Sequence, residues 1–202
     1  MSRPKKSTLD IQLAMPGRHN VQNSLGAVAI GDFLELPDEA ISSALRKFEG
    51  VGRRFEIVAN LPHNDGTITV IDDYGHHPKE LTVTFETVRT CFPGKRLVNI
   101  FQPHRFSRTR DLFDDFVAIL CKADVLILMD VHSAGEVPIT GAASKDLASA
   151  IRDSGGLSPQ LIQGFEEILN RLFKIAGISA HIAPPRTPPT TINGNINQPS
   201  RG

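Results

Sequence analysis

Short apolar, β-branched runs alternate with helix-length amphipathic segments over most of this chain. Residues 67–71, 97–101 and 125–129 have the composition of strands, whereas residues 78–91, 111–121 and 144–152 have the apolar spacing of helices. Because strands that alternate with helices are typical of a parallel sheet, this order predicts an α/β fold.

The first part of the chain has a different pattern. Residues 9–14 alternate apolar and polar positions, which predicts a short strand that Pro16 and Gly17 end. Helices are expected over about 21–34 and 38–48, and a strand over 55–59. The Asn-Asp-Gly sequence before residue 67 predicts a hairpin or a tight turn between that strand and the next.

The last part of the chain divides into a helix and a tail. Residues 163–176 form a predicted amphipathic helix whose apolar face carries Phe165, Ile168, Leu169, Leu172 and Phe173. Residues 184–202 contain five prolines among Thr, Asn and Gly. We expect this tail to be disordered, because such a composition cannot bury enough apolar surface.

Polar segments directly follow the three predicted strands. We name residues 72–78 (DDYGHHP) the tyrosine island, residues 102–111 (QPHRFSRTRD) the arginine island, and residues 130–136 (DVHSAGE) the third loop. Because crossovers return parallel strands in one direction, all three segments are expected to line one crevice at the sheet edge. Ligands of α/β proteins bind at such an edge.

Each island has a structural and a functional interpretation. In the tyrosine island, Asp72 and Asp73 could form Asx turns before a proline-initiated helix, or they could bind ribose hydroxyls or a metal beside a ring that stacks on a base. In the arginine island, Arg105 and Arg108 could be a solvated turn paired with nearby aspartates. Alternatively, their spacing and a helix beginning near residue 109 or 111 could present two guanidinium groups and helix amides to one carboxylate or phosphate.

Two further segments are weaker candidates. Residues 16–23 place His19 and Asn23 at the start of a helix, suited to contacting a base edge or to capping. Residues 50–56 place Arg53 and Arg54 at a strand entry. We interpret the remaining isolated histidines as surface or loop residues, because none has neighbours at metal-ligand spacing: His63, His132 and His181.

Composition excludes several function classes. The 22 basic residues balance 22 acidic ones, which disfavours nucleic acid and anionic membranes as partners. Cys91 and Cys121 fall in predicted helices without a metal-binding spacing, which is typical of a reducing compartment. No apolar stretch approaches the roughly 20 residues of a membrane helix. We therefore expect a cytoplasmic protein without a metal site of its own.

Four segments taken in order resemble the Mur ligase family: residues 16–23, 50–56, 72–78 and 101–116. The resemblance runs from about residue 9 to 176. The sequences of the two islands are most similar to those of the members that join L-alanine to UDP-N-acetylmuramate. It implies an ATP-dependent ligase of peptidoglycan biosynthesis that forms an acyl phosphate, which the alanine amine attacks.

The resemblance also implies roles for individual residues. His19 and Asn23 would lie at the adenine, Arg54 at the ribose and phosphates, and Asp73 with Tyr74 at the ribose and base. On the amino-acid side, His76, Arg105 and Arg108 would face L-alanine. No residue is assigned to the chemical step itself.

The resemblance covers only part of a family enzyme. It implies that residues 1–58 end the central ATPase domain, that 59–177 form the Rossmann-like C-terminal domain, and that 178–202 are a divergent tail. No G-x-x-x-x-G-K-[ST] loop occurs, so the ligands of Mg²⁺ and the phosphate cradle are expected in a missing part, which a truncated or interrupted gene would explain. Phe106, His132 and Ser133 are mild departures from the family's usual residues.

Two alternative functions remain besides the ligase interpretation, which also predicts a partner. The chain could be a non-catalytic remnant that binds nucleotide weakly or docks on a partner. It could also be part of a sister ligase that adds another amino acid. Under the preferred interpretation the missing domains could act in trans.

Overall fold

A computed structural model describes residues 8–63, 66–155 and 157–176. The elements are, in chain order, α1 (Arg18–Phe33), α2 (Asp38–Lys47), β1 (Glu56–His63), β2 (Gly66–Asp72), α3 (Pro78–Cys91), β3 (Val98–Phe101), α4 (Phe106–Asp111), α5 (Phe113–Leu120), β4 (Val125–Met129), α6 (Ser144–Asp153), β5 (Gln160–Ile162) and α7 (Phe165–Ala176).

A three-stranded parallel sheet in the order β3-β4-β5 confirms the α/β prediction. Phe101 of β3 lies opposite Leu128 of β4, and beyond these strand ends an isolated parallel bridge joins His104 to His132. The main-chain pairing therefore continues into the polar segments that follow both strands.

The main core covers one face of β4 and the helices against it. Leu126 and Leu128 are fully buried there, together with Phe116 of α5 and Leu147 of α6. Strand β4 is buried along most of its length because it is the central strand, which explains its nearly continuous apolar sequence.

The prediction that residues 67–71 begin the parallel sheet is wrong. Strand β2 pairs antiparallel with β1 in a separate two-stranded sheet, as the alternative hairpin interpretation expected. The main-chain hydrogen bonds of β2 are made with β1, its neighbour in the sequence. The periodicity of a strand does not show which strand it pairs with, so the prediction could not identify β1. The predicted turn residues 64 and 65 lie outside the described residues.

The predicted strand over residues 9–14 is also wrong. No described strand pairs with this segment, so its alternating pattern reflects one-sided burial rather than sheet formation. Leu9 packs with Val28 of α1 and Ile41 of α2 in a second small core, to which Ile11 contributes.

Three helices differ in detail from the predictions. The segment predicted as a helix over 111–121 is preceded by the short helix α4, and Leu112 separates α4 from α5. Helix α1 starts at Arg18, three residues before the predicted Val21. Helix α3 matches its prediction because Pro78 starts it and Glu80 completes a capping box with His77.

Residues 8–163 belong to one compact unit and α7 to another. Helix α7 confirms the predicted last helix, apart from its first two residues. The predicted tail over 178–202 lies outside the described residues, and the predicted domain boundary near residue 58 stays a prediction. In the part of the chain that the structure describes, no helix is long and apolar enough to cross a membrane.

Candidate functional site

The tyrosine island is held against the entry to β1 by its aspartate and its backbone. The Asp73 carboxylate accepts hydrogen bonds from the amides of Phe55 (2.9 Å) and Gly75 (2.8 Å). The Tyr74 amide donates to the Arg53 carbonyl (2.7 Å), and the Arg53 guanidinium lies 5.0 Å from the centre of the Tyr74 ring. The Asx turn is thus present, and the Tyr74 ring stays about half exposed.

Glu80, which the sequence prediction did not include, connects this island to the second arginine of the strand entry. Its carboxylate contacts the Arg54 guanidinium (3.3 Å) and accepts from the amides of His76 (3.0 Å) and His77 (3.1 Å). Partial burial raises the pKa of Glu80, but these three donors hold that pKa below its ordinary value. The sequence predicted the proline-initiated start of α3, whereas neither the capping box nor the contact between Glu80 and Arg54 was predicted.

Three imidazole rings bring the islands and the third loop together. The centre of the His76 ring lies 6.0 Å from that of His104, and the His104 ring lies 5.2 Å from that of His132. We call these residues the histidine row. The predicted meeting of three polar segments is therefore confirmed, although β2 does not belong to the parallel sheet. His132 is an exposed residue of the third loop, as predicted, and the isolated bridge also places it beside His104, a contact that the sequence did not indicate.

Arg105 and Arg108 lie next to the histidine row. Arg108 donates to the His104 carbonyl (3.3 Å), and Arg105 is exposed at the start of α4. Among the described residues neither guanidinium makes an ion pair with a carboxylate, in contrast to Arg110, which pairs with Asp111 at 2.7 Å. Of these three arginines, only Arg110 therefore pairs with a nearby aspartate, as the interpretation of the island as a solvated turn expected.

His104 is the titratable group with the most positive surroundings. Partial burial lowers its pKa, and further lowering comes from Arg108, His132, Arg105 and His76 in that order. A proton on this ring would be partly desolvated and close to two guanidinium groups. At neutral pH the ring is therefore available as a neutral hydrogen-bonding group beside fixed positive charge.

The start of the expected helix is already partly occupied by an acidic side chain. The helix of the arginine island begins at Phe106 rather than near residue 109 or 111, and the Glu136 carboxylate of the third loop occupies its first turn. Glu136 accepts from the Ser107 amide (2.9 Å) and from the Ser107 hydroxyl (2.6 Å). The Ser107 amide is therefore not available to an anion, whereas the guanidinium groups of Arg105 and Arg108 have no carboxylate partner among the described residues.

His19 and Asn23 lie on α1, and no contact between either of them and the islands is recorded among the described residues. The Nδ1 atom of His19 is buried without a hydrogen-bond partner, and Asn23 is exposed. Gly17 has a φ of 103°, and a Cβ at this position would lie 2.6 Å from the His19 ring and 3.1 Å from the Thr87 hydroxyl of α3. A glycine is therefore required where α1 begins beside α3.

No group of three or more His, Cys, Asp or Glu side chains in the described ranges could hold a metal ion. The histidine row is included in that finding. The donor set around Tyr74 and Arg54 is suited to an aromatic and anionic ligand rather than to a bare cation.

A family model described as "Mur ligase, glutamate ligase domain" matches residues 53–181. UDP-N-acetylmuramate–L-alanine ligase of Nitrosomonas europaea is 52% identical over 170 residues, which cover 84% of this chain and 36% of that protein. The enzyme of the same name from Methylococcus capsulatus is 49% identical over 164 residues, or 81% of this chain and 35% of that protein. The chain thus spans about a third of the length of these curated relatives.

Solved structures agree with this placement. The structure of the UDP-N-acetylmuramate–alanine ligase of Thermotoga maritima has a TM-score of 0.65 and 30% identity, and the match covers 82% of this chain and 34% of that one. Folylpolyglutamate synthase of Mycobacterium tuberculosis, solved with ADP and AMPPCP, has a TM-score of 0.62 at 18% identity over 83% of this chain and 36% of that one, which indicates a shared fold. On the strength of the family match over more than half of its residues, the chain belongs to the Mur ligase family.

Proposed function

We propose that this chain supplies the amino-acid side and part of the nucleotide side of an ATP-dependent ligase that joins L-alanine to UDP-N-acetylmuramate. The observation that carries the proposal is the meeting of the tyrosine and arginine islands at His76 and His104, beside two arginines without a carboxylate partner among the described residues. Relatives that are 52% and 49% identical over 84% and 81% of this chain bear the name of that ligase.

On the amino-acid side, Arg105 and Arg108 bind the carboxylate of L-alanine. Guanidinium groups match a planar carboxylate, and both of these are available because nearby acids are already used. His76 faces the same space from the tyrosine island. The amine of L-alanine must be neutral to act as a nucleophile, and a neutral imidazole such as that of His104 can accept a hydrogen bond from it.

On the nucleotide side, Tyr74 supplies an exposed ring for stacking and Asp73 anchors the backbone that carries it. Arg54 supplies positive charge for the ribose and phosphates, and His19 with Asn23 forms the adenine contact. The buried Nδ1 atom of His19 favours this role, because a buried polar atom without a partner is suited to a ligand hydrogen bond.

ATP and Mg²⁺ fit this chain to different degrees. The aromatic and arginine groups fit the base and sugar of ATP. The described residues offer no cluster for Mg²⁺, and no phosphate-binding loop occurs in the sequence. We therefore assign Mg²⁺ and the γ-phosphate to the part of a family-length enzyme that this chain does not span. A ligase that uses ATP and a nucleotide sugar acts in the cytoplasm.

The rival proposals differ in what the site would do. A non-catalytic module would bind a nucleotide at Tyr74 without any response to L-alanine. A sister ligase would carry the same fold but would select another amino acid at Arg105 and Arg108.

A chimera separates these proposals. The matched 170-residue segment of the N. europaea ligase is replaced by the corresponding segment of this chain, and phosphate release is measured with ATP, Mg²⁺ and UDP-N-acetylmuramate. We expect release that depends on L-alanine. Turnover with a different amino acid would favour a sister ligase, and loss of turnover in a folded chimera would favour the non-catalytic module. The unmodified N. europaea enzyme is the control.

A further inference from the structure

The backbone of Arg105 is in a conformation that residues with side chains rarely adopt. Its φ is 72°, in the left-handed region. A non-glycine residue persists there only when surrounding contacts hold it, and such residues concentrate at ligand-binding positions. The contacts that hold Arg105 are therefore part of what places its guanidinium group.

The third loop supplies the first of these contacts through its main chain. The Arg105 amide donates to the His132 carbonyl (2.8 Å), and the His132 amide donates to the Pro103 carbonyl (2.8 Å). This reciprocal pairing fixes the backbone on the N-terminal side of Arg105, and any residue other than proline at position 132 can provide it.

The second contact depends on a side chain. The Glu136 carboxylate binds both the amide and the hydroxyl of Ser107, two residues after Arg105. The third loop thus holds the arginine island on both sides of the strained residue. Glu136 is separated from Ser107 by 29 positions in the sequence, so this contact connects the ends of β3 and β4.

We propose that Glu136 is a positioning residue for amino-acid recognition, which holds Arg105 and Arg108 where they bind the carboxylate of the incoming amino acid. This inference rests on the proposed function, because it takes that carboxylate as the ligand. Glu136 itself does not contact the amino acid, since its oxygens are occupied by Ser107.

The charges around Glu136 keep this contact intact near neutral pH. Hydrogen bonds from the Ser107 hydroxyl and amide lower the pKa of Glu136, and the positive charge of Arg105 lowers it further. Arg105 also acts on His104 of the same island, together with Arg108, His132 and His76. The Glu136 carboxylate is therefore ionised near neutral pH.

The first test uses the 202-residue chain. Amide hydrogen exchange at Ser107 and Thr109 is compared between the unaltered chain and Glu136→Gln, and L-alanine is titrated while the Arg105 and Arg108 side-chain NMR signals are recorded. We expect faster exchange and a loss of the shifts caused by L-alanine. Glu86→Gln is the matched control, because Glu86 is exposed on α3 and contacts none of these residues.

The second test uses the ligase chimera. Glu136→Gln is expected to raise the KM for L-alanine about tenfold while the KM for ATP stays unchanged, since charge-assisted hydrogen bonds to Ser107 are lost. Ser107→Ala should have a smaller effect in the same direction. A merely structural role would change both KM values or neither.

The outcomes separate the two proposals. Unchanged exchange at Ser107 in Glu136→Gln, or faster exchange with an unchanged response to L-alanine, overturns the positioning role. A chimera that is inactive without any substitution contradicts the proposed function instead, and the exchange measurements on the 202-residue chain then still decide whether Glu136 holds the arginine island.

Discussion

Arg105 and Arg108 differ from the two arginines at the entry to β1, Arg53 and Arg54, in what their charges contact. Arg53 lies over Tyr74 and pairs with Asp72, and Arg54 pairs with Glu80. Arg105 and Arg108 have no such carboxylate among the described residues, although Glu136 is near Arg105. At the residue scale, these two side chains carry the predicted selectivity of the site.

Replacing Arg105 or Arg108 by Ala in the ligase chimera should raise the KM for L-alanine. The expected factor is about 10- to 100-fold, because each change removes a charge-assisted hydrogen bond worth about 1.5–3 kcal/mol. Steady-state kinetics with varied L-alanine measure the effect. Arg110→Ala is the control and should change little, since Arg110 pairs with Asp111. An unchanged KM in both arginine variants would remove the pair from the site.

His104 should titrate below the ordinary histidine value of 6.5. Two-dimensional NMR of the imidazole groups over pH 4 to 8 would measure its pKa directly. In His132→Gln that pKa should move upward, because one neighbouring ionisable ring is removed. Added salt should move it in the same direction by screening Arg105 and Arg108. A pKa of His104 that is insensitive to both changes would contradict the arrangement described.

The sequence predicted which candidate residues lie together better than it predicted their contacts. The island residues His76, Arg105 and Arg108 lie together as predicted. Glu80, Glu136 and His132 were missed, because each acts through a contact with a residue distant in sequence or on another element. Sequence patterns carry information about local elements but little about which loops meet.

At the element scale, one ion pair connects α3 to the starts of β3 and β4. The Arg89 guanidinium binds the Asp124 carboxylate at 3.0 Å, and Asp124 also accepts from the Leu97 amide at 2.6 Å. The last turn of α3 is thereby attached to the sheet at the end opposite the site. This contact supports the orientation of α3, whose first turn carries Glu80.

Asp124→Asn should therefore destabilise the fold by about 1 kcal/mol, a modest value because both side chains are about 40% exposed. Hydrogen bonds from Arg89 hold the pKa of Asp124 below its ordinary value of 3.8. Its contribution is then fully present above that value and is lost as the pH falls below it. Urea denaturation at pH 7 and pH 3 measures this: the difference between the variant and the unaltered chain should shrink at pH 3. Asp153→Asn, at an exposed helix end, is the control.

The elements themselves were predicted well where local signals were strong. Helix α3 was predicted to the residue, because Pro78 marks its start. Strand β5 was missed, since its three residues carry no periodicity. The pairing of β2 with β1 rather than with the parallel sheet could not be predicted, because a strand sequence does not specify its neighbour.

At the scale of the whole molecule, the chain holds recognition groups without a phosphate cradle. The 202-residue chain alone should release no phosphate above background from ATP, with Mg²⁺, UDP-N-acetylmuramate and L-alanine present, because phosphoryl transfer depends on groups that hold the γ-phosphate and its metal. A coupled phosphate assay measures this. The N. europaea ligase is the positive control. Clear phosphate release by the 202-residue chain that depends on L-alanine would mean that the catalytic centre lies within this chain, contrary to the proposal.

The bridge between His104 and His132 constrains the number of residues between β4 and the third loop. The segment between Leu128 and His132 is one residue longer than the segment between Phe101 and His104, although both pairs lie side by side. That extra residue shifts the register between the sheet and the histidine row. Deleting Val131 would remove the shift and allow β3 and β4 to extend as ordinary strands. Insertions and deletions over 129–131 should therefore be tolerated less than substitutions, so the spacing there distinguishes chains that can form this site from those that cannot.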